Sequence, residues 1–270
     1  FFKQTTAYEI SLGLVGSEMC IRDRTGLSQI DGFEPAGHNH VVTPYCETKI
    51  KVELLQHRGC KFAFLRRHGS KHTIPPHKVN YQANIWALHK LGVDKIIGVN
   101  AVGSINENLV PGCLAVPDQI IDYTYGRAAT YFEETLKTVV HIDFTRPFAE
   151  TLRSALVDSA NITNVKSSDN RLVMNGGVYG CTQGPRLETA AEVNKYKRDG
   201  CDLLGMTAMP EAALARELQI DYALLALSVN WAAGQFEGEI LMDDISKIVK
   251  NSKDFVTDLL RALVEKYGDC

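Results

Sequence analysis

The sequence lacks a long apolar run, a cluster of basic residues and an N-terminal basic stretch followed by an apolar core. No run in the 270 residues approaches the ~20 apolar residues that span a bilayer. The net charge is −3, and lysines and arginines are scattered along the chain, which argues against a nucleic-acid or anionic membrane surface. We therefore expect a cytoplasmic protein that acts on small molecules, with neither membrane nor nucleic acid as partner.

Metal and cofactor motifs are also missing. The seven cysteines show no C-x-x-C spacing, and most lie in or beside apolar runs. Their odd number favours reduced, buried thiols over disulfides or a zinc site. Because the sequence has no Gly-x-Gly-x-x-Gly loop, a dinucleotide site is not expected either. We predict no bound metal and no organic cofactor.

The most informative stretch is residues 205–211, which read Gly-Met-Thr-Ala-Met-Pro-Glu and follow Leu203 and Leu204. A strand that ends in a small-residue turn and opens into a helix leaves free backbone N–H groups at a positive helix end, which suits an anion. Thr207 would add a hydroxyl there. The alternative is an ordinary turn that Thr207 caps, with the two methionines filling the core.

This stretch closely resembles the Gly-Met-[Ser/Thr]-x-x-Pro-Glu signature of the trimeric purine nucleoside phosphorylase and methylthioadenosine phosphorylase family. The resemblance runs from about Thr25 to the last helix, and several motifs follow in the family's order. It implies that Met206 lies against a nucleoside, that Thr207 binds phosphate and ribose, and that Glu211 supports the turn. Strands that alternate with helices also predict a single α/β domain with a central mixed sheet, as in the nucleoside phosphorylase/hydrolase-like fold.

Residues 1–24 differ from the rest and resemble a translated sequencing-adapter read-through that recurs at the ends of unrelated reading frames. We predict that they are not native sequence and do not continue the sheet, and that residues 25–270 form the domain. The family's first strand ends in a phosphate-binding Gly-Gly-[Ser/Thr]-Gly loop, of which Thr25-Gly26 remains here. The resemblance makes Thr25 a phosphate ligand. The alternative is a divergent native strand over residues 10–15.

Periodicity and turn residues predict the secondary structure of the rest of the chain. The expected elements are turns over residues 31–32 and 35–40, a hairpin of residues 49–55 and 61–66, a helix over 80–91 with Trp86, Ala87 and Leu91 on its buried side, a short buried strand over 95–99, a strand over 112–122, a helix over 148–160 before a polar connection, a strand over 177–181, a helix from 190, a strand over 222–229 and a final helix over 238–266. The strand over 95–99 ends in the small residues 100–104, which let a backbone approach a ligand closely, and a plain tight turn is the alternative.

Candidate phosphate ligands stand at two strand ends. Arg67 and His68 follow the second hairpin strand, and an arginine there offers a planar fork of donors to phosphate oxygens. A solvated surface pair is the alternative. The Arg-His-Gly motif followed by His-Thr-Ile-x-Pro resembles the methylthio-nucleoside branch, which implies that Arg67 and His68 bind phosphate and that His72 lies near the ribose. The resemblance also makes Asn100 and Ala101 phosphate contacts.

Two positions bear on which base is bound. The resemblance aligns Glu188 and Asn230 with a serine and an aspartate of adenine-specific members, and it also makes Ala232 a substrate-binding residue. A 6-oxopurine presents an N1–H donor and an O6 acceptor, which a carboxylate and an amide match. Members of the family that bind ordinary nucleosides use a late histidine for the 5′-hydroxyl, whereas no histidine follows His141 here. The resemblance places Ile240, Met242 and Ile245 near that position. An apolar 5′ pocket favours a thioether over a hydroxyl.

The function implied by the resemblance is phosphorolysis of S-methyl-5′-thioinosine, with inorganic phosphate as co-substrate. Asn230 would stabilise charge on the departing base, and Thr207 and His68 would hold the attacking phosphate. The loop that contains His141 and Phe144 resembles one that enters a neighbour's site, which implies a homotrimer. The alternatives are an inosine/guanosine phosphorylase, a methylthioadenosine phosphorylase, and a nucleoside-binding protein whose phosphate loop is damaged.

Overall fold

The computed structural model describes residues 11–15 as backbone, and residues 33–70, 73–133, 139–167 and 169–267. Eleven strands within these ranges form one sheet: β1 (Ser11–Val15), β2 (Glu34–Thr43), β3 (Cys46–His57), β4 (Cys60–Leu65), β5 (Val93–Ser104), β6 (Leu114–Val116), β7 (Gln119–Asp122), β8 (Val173–Asn175), β9 (Val178–Cys181), β10 (Leu203–Gly205) and β11 (Asp221–Trp231). The helices are α1 (Tyr81–Lys90), α2 (Glu150–Lys166), α3 (Ala190–Arg198), α4 (Ala208–Glu217) and α5 (Met242–Tyr267), with a 3-10 turn over Pro76–Lys78.

Strand β5 sets the layout of the sheet. Strand β11 runs parallel to it along one edge, while β1 pairs in parallel with its first half and β10 pairs antiparallel with its last two residues. The antiparallel strands β2, β3 and β4 join through β1, β9 and β7 extend the sheet beyond β10, and β6 and β8 extend it beyond β11. The predicted α/β domain with a central mixed sheet and flanking helices is confirmed.

Helices cover both faces of the central strands. Alternate residues of β5 and β11 pack on opposite sides, as the period of two in a strand requires. Ile97 and Leu225 lie in the cluster with α2 and α5, and Ile96 and Leu224 lie in the cluster with α1 and α4. This double burial explains why residues 222–227 form a continuous apolar run. Among the described helices, none combines the length and the hydrophobicity needed to cross a membrane.

The alternative of a plain tight turn at residues 100–104 is wrong, because β5 continues through Ser104 instead of ending at Val99. These small and polar residues look like a turn in isolation. In the fold they have ladder partners on β11, where Asn100 pairs with Ala226 and Gly103 with Asn230, and β10 pairs with the other edge. Tertiary hydrogen bonding therefore decides the conformation against local propensity.

The turn predicted for residues 35–40 is also wrong, because β2 is a ten-residue edge strand. Pro35 and Gly37 bracket a register shift against β3, and proline and glycine are tolerated at edges and bulges. The hairpin of β3 and β4, the strand β9, and the starts of α1 and α3 are confirmed. In α1, Ala87 is buried as predicted, whereas Trp86 and Leu91 are only half-buried.

Three further boundaries differ from prediction. Helix α2 begins at Glu150 and continues to Lys166, since the polar residues after Ala160 lie mainly on its exposed side. The strand predicted over residues 112–122 divides at Pro117 into β6 and β7, which pair with different neighbours. Helix α5 begins only at Met242.

The prediction that residues 1–24 do not continue the sheet is wrong for residues 11–15. Strand β1 lies between β4 and β5 and runs parallel to both. Its sequence, Ser-Leu-Gly-Leu-Val, suits a central strand, and its backbone groups satisfy the facing edges of β4 and β5. Thr25 lies outside the described residues, and the non-native origin of residues 1–24 stays a prediction.

The cysteines largely follow the prediction of free thiols. Cys46, Cys113, Cys181 and Cys201 are free. Cys60 corrects the prediction, because it is disulfide-bonded.

Candidate active site

A cleft of about 800 Å³ opens at the carboxyl ends of β4, β5, β9, β10 and β11. This is the edge at which open α/β sheets bind ligands. It brings together several predicted site residues that are far apart in sequence: His68, Ala101, Glu188, Met206, Asn230 and Met242. The remaining lining is mostly apolar and includes Ile74, Val229 and Ile245.

The other predicted residues do not line this cleft. Arg67, Asn100 and Thr207 are buried beneath it, with Thr207 directly following the lining residue Met206. Ala232 is buried beside it and lines a smaller neighbouring pocket that shares Asn230 with the cleft. His72 and Thr25 lie outside the described ranges, so their predicted contacts are untested.

Arg67 forms a buried ion pair under the cleft. Its Nε donates to Glu211 Oε1 at 2.8 Å and its Nη2 donates to Glu211 Oε2 at 3.0 Å. Both side chains are 0 % exposed. A third donor, Nη1, reaches Asn100 Oδ1 at 3.2 Å. The guanidinium thus joins the end of β4 to α4 and β5, and its role as a phosphate ligand stays a prediction.

Two buried tyrosines extend this network. Tyr222 donates its hydroxyl hydrogen to Glu211 Oε2 at 2.9 Å, and Asn100 Nδ2 donates to the Tyr179 hydroxyl at 3.1 Å. Burial, and then the charge of Glu211, raise the pKa of Tyr222 well above its usual range, so this group is a neutral donor. Gly205 is required by the same network, because a Cβ there would lie 2.1 Å from the Tyr179 hydroxyl oxygen.

Thr207 precedes α4, but its side chain does not cap the helix. The alternative interpretation of a simple Thr207 cap is therefore wrong. Its Oγ1 is buried and has no hydrogen-bond partner among the described residues. A buried hydroxyl without a partner costs about 1–3 kcal/mol. Such a group beside the start of a helix is suited to an anionic ligand.

His68 and Glu188 are held in place by neighbouring groups. His68 Nδ1 donates to the Ile74 carbonyl oxygen at 2.7 Å, which fixes the ring at the wall of the cleft. Glu188 Oε1 accepts a hydrogen bond from the buried Thr182 hydroxyl at 2.6 Å. None of the described residues donates to Oε2 of Glu188, which leaves this oxygen as an acceptor for a ligand.

A β-bulge at Val229 directs Asn230 toward the cleft. Ser228 pairs with Val102 and Asn230 pairs with the next residue, Gly103, so that Val229 is the extra residue of β11. Bulges re-aim side chains next to active sites. Asn230 Nδ2 donates to the Trp231 carbonyl oxygen at 2.7 Å, which holds the amide in one orientation.

Residues 36–265 of the chain match the family described as the phosphorylase superfamily. The chain belongs to the phosphorylase superfamily. The phosphorylase is also 50% identical over 237 residues to a probable S-methyl-5′-thioinosine phosphorylase of Xylella fastidiosa, which covers 87% of this chain and 94% of that protein.

Two further relatives of this phosphorylase differ in their named substrates. A 6-oxopurine nucleoside phosphorylase of Pyrococcus furiosus is 43% identical over 229 residues, with 83% of each chain covered. The structure of methylthioadenosine phosphorylase from Schistosoma mansoni in complex with adenine superposes with a TM-score of 0.84 at 30% identity, covering 96% of this chain and 92% of that chain.

Sequence reasoning missed several features of the phosphorylase site. The wall formed by residues 73–76 and the bulge residue Val229 were not predicted as lining. Of the apolar residues expected near the 5′ position, Met242 and Ile245 line the cleft and Ile240 lies in the neighbouring pocket. Arg127 was not among the predicted site residues, although the structure gives it hydrogen bonds to both turns at the cleft. No local pattern distinguishes it from a surface arginine.

Proposed function

We propose that the protein catalyses the phosphorolysis of S-methyl-5′-thioinosine to hypoxanthine and 5-methylthioribose 1-phosphate. The observation that carries the proposal is the pairing, in one cleft, of the Glu188 carboxylate with the Asn230 amide beside the apolar side chains of Met242 and Ile245. The names of the Xylella and Pyrococcus relatives support a 6-oxopurine nucleoside. A phosphorylase of this type is a pentosyltransferase.

The base is recognised by matched donors and acceptors. The N1–H of a 6-oxopurine donates to Oε2 of Glu188, and the amide of Asn230 donates to N7 or O6. In the reaction a phosphate oxygen bonds to the anomeric carbon while the carbon–nitrogen bond to the purine breaks and its electron pair stays on the base. Asn230 stabilises the charge that develops there. An adenine would place its unprotonated N1 against the Glu188 carboxylate.

Phosphate is bound between the ends of β4 and β5 and the start of α4. Thr207 supplies its hydroxyl, which has no partner among the described residues, and His68 and Ala101 line the cleft nearby. The start of α4 favours an anion at this point, whereas the charge of Arg67 is balanced by its buried ion pair with Glu211. The reaction then depends on positioning and electrostatics rather than on a covalent enzyme intermediate.

Thr207→Val tests the phosphate site. The substitution removes a buried, unpaired hydroxyl without changing the side-chain shape, so we expect the free energy of unfolding to rise by about 1 kcal/mol. The KM for phosphate should rise at least about tenfold, since the lost bond is to an anion. Urea unfolding and initial-rate kinetics measure the two effects.

The matched control for that substitution is Thr257→Val in α5, which also removes a buried hydroxyl without a partner among the described residues. It should raise stability in the same way and leave the KM for phosphate unchanged. Thr207→Ser keeps a hydroxyl and should retain most of the phosphate affinity. An unchanged KM in Thr207→Val would remove Thr207 from the phosphate site.

A substrate panel tests the proposed reaction. With phosphate present, kcat/KM should be highest for methylthioinosine, and at least about tenfold lower for methylthioadenosine because of the mismatch at Glu188. Inosine and guanosine complete the panel and test the 5′ preference. Equal use of methylthioadenosine and methylthioinosine would contradict the base assignment.

Binding without turnover would favour the alternative of a nucleoside-binding protein. That outcome is separated from a damaged first loop by a variant in which Gly-Gly-Thr-Gly is restored at Thr25. If the restored variant binds hypoxanthine and still has no phosphorolytic activity, the enzyme assignment is wrong.

We further propose that the protein works as a cytoplasmic homotrimer. His141 is exposed and lies on the loop that resembles a neighbour-contacting one, whereas Phe144 packs against the core of its own chain. His141 is therefore the better candidate for contact with a partner. Sedimentation should give a trimer, and a fully active monomer would contradict this proposal.

A further inference from the structure

Arg127 does not line the cleft, but it contacts the two turns that carry the lining residues Glu188 and Met206. Its Nη1 donates to the carbonyl oxygens of Met206 and Met209 at 2.8 and 2.6 Å. Its Nη2 donates to the carbonyl oxygens of Gln183 and Thr182 at 2.9 and 3.4 Å. One guanidinium thus joins the 182–188 turn to the 206–209 turn.

The surroundings of Arg127 use the geometry of an arginine. Its Nε donates to Gln183 Oε1 at 3.3 Å, and the guanidinium carbon lies 5.3 Å from the centroid of the Tyr81 ring. Nη1 also donates to the Tyr81 hydroxyl oxygen at 3.2 Å. A planar fork with five donors can serve acceptors on two sides at once, whereas a lysine ammonium is a single point of donation.

The two turns that Arg127 joins are packed against each other. A Cβ on Gly184 would lie 2.4 Å from the sulfur of Met206, so the turns approach within the space that only a glycine leaves. The same turn holds Glu188 through the hydroxyl of Thr182, whose carbonyl oxygen accepts from Arg127. A shift of one turn therefore moves Glu188 relative to Met206.

We propose that Arg127 is a positioning residue that fixes Glu188 relative to Met206 and so sets the discrimination between 6-oxopurines and 6-aminopurines. The proposal rests on the proposed function for the identity of the two bases. Arg127 acts through the turns and does not touch the substrate. The side chain of Gln183 also joins the 182–188 turn to the backbone beside Arg127. Its Nε2 donates to the Tyr125 carbonyl oxygen at 3.0 Å, and its Oε1 accepts from the Tyr125 N–H at 3.2 Å.

The test compares Arg127→Met and Arg127→Lys with the unmodified protein, using methylthioinosine and methylthioadenosine. A displacement of about 1 Å in a site can lower the rate about 100-fold. We expect Arg127→Met to lower kcat/KM for methylthioinosine by about 10–100-fold, and to lower the ratio of the two kcat/KM values by about tenfold, because the mismatch at Glu188 is relaxed. Arg127→Lys should recover only part of both losses.

Arg171→Met is the matched control. Arg171 also donates to two backbone carbonyl oxygens, of Gly112 and Asn251, and also lies over an aromatic ring, that of Phe255, but it lines no part of the cleft. Its loss should lower the melting temperature and leave the substrate ratio unchanged. A purely structural role for Arg127 would give the same pattern in Arg127→Met, and that result would overturn the proposal.

Hydrogen exchange gives a readout that does not depend on activity. Amides of residues 182–188 and 205–209 should exchange faster in Arg127→Met than in the unmodified protein or in Arg171→Met. If the unmodified protein turns over none of the four nucleosides, the proposed function fails, and unchanged exchange in both turns would separately overturn the role of Arg127. If Arg127→Met does not fold, Arg127→Lys gives the same two readouts with smaller expected changes.

Discussion

Replacing Glu211 with alanine is expected to lower the free energy of unfolding by about 3–5 kcal/mol, because it leaves the Arg67 charge buried without its carboxylate. Both side chains are 0 % exposed, and two hydrogen bonds of 2.8 and 3.0 Å join them. The Tyr222 hydroxyl loses its acceptor in the same substitution. Urea unfolding monitored by fluorescence measures the change, with the m-value checked for two-state behaviour.

The control for this prediction is Glu265→Ala, which removes an ion pair of 2.9 Å to the exposed Arg58 and a contact of 3.0 Å to His57 Nε2. Exposed pairs contribute little, so we expect a loss of at most about 1 kcal/mol. The double substitution Arg67→Met with Glu211→Leu removes both charges and should cost less than Glu211→Ala alone. An effect of Glu211→Ala no larger than that of Glu265→Ala would contradict the buried pair.

Base choice is expected to change in two steps. Asn230→Asp should weaken the preference for 6-oxopurines and admit 6-aminopurines, because a protonated aspartic acid can donate to N7 while the carboxyl group accepts from the exocyclic amine. Glu188 would still face the unprotonated N1 of adenine, so Glu188→Ser is needed to complete the change. The loss of one matched donor–acceptor pair between the protein and the base is expected to shift kcat/KM by about 10–100-fold.

The two substitutions should be non-additive, since both side chains touch one ring. Rates with methylthioinosine and methylthioadenosine, measured for both single variants and the double variant, give the coupling. Asn161→Asp makes the same chemical change on the exposed side of α2 and should leave the substrate ratio unchanged. Additive effects, or a ratio that Asn230→Asp does not move, would show that the two residues do not act on one base.

Much of the fold was predictable because its elements carry local signals. Helix α3 begins with a capping box between Thr189 and Glu192, which fixes its start from sequence. The hairpin of β3 and β4 follows from the alternation on each side of Arg58 and Gly59, both of which take positive φ. The apolar run of β11 marks a strand covered on both faces.

The unpredicted parts depend on contacts between distant segments. Arg67 and Glu211 are 144 residues apart, so no local pattern indicates that the arginine is paired inside the fold. The bulge at Val229 exists only relative to the register of β5 and is invisible in β11 alone. Arg127 likewise acquires its role from four carbonyl groups that come from two other turns.

The position of β1 also bears on how the chain associates with itself and with added peptides. A protein shortened to begin at Thr25 would leave a gap one strand wide between β4 and β5, with unpaired N–H and C=O groups on both facing edges. Such a gap can accept an added β-strand. A short apolar peptide, or the equivalent segment of another copy, can enter it and pair with both β4 and β5. The shortened protein should therefore aggregate, and a synthetic peptide of residues 10–16 should restore its solubility.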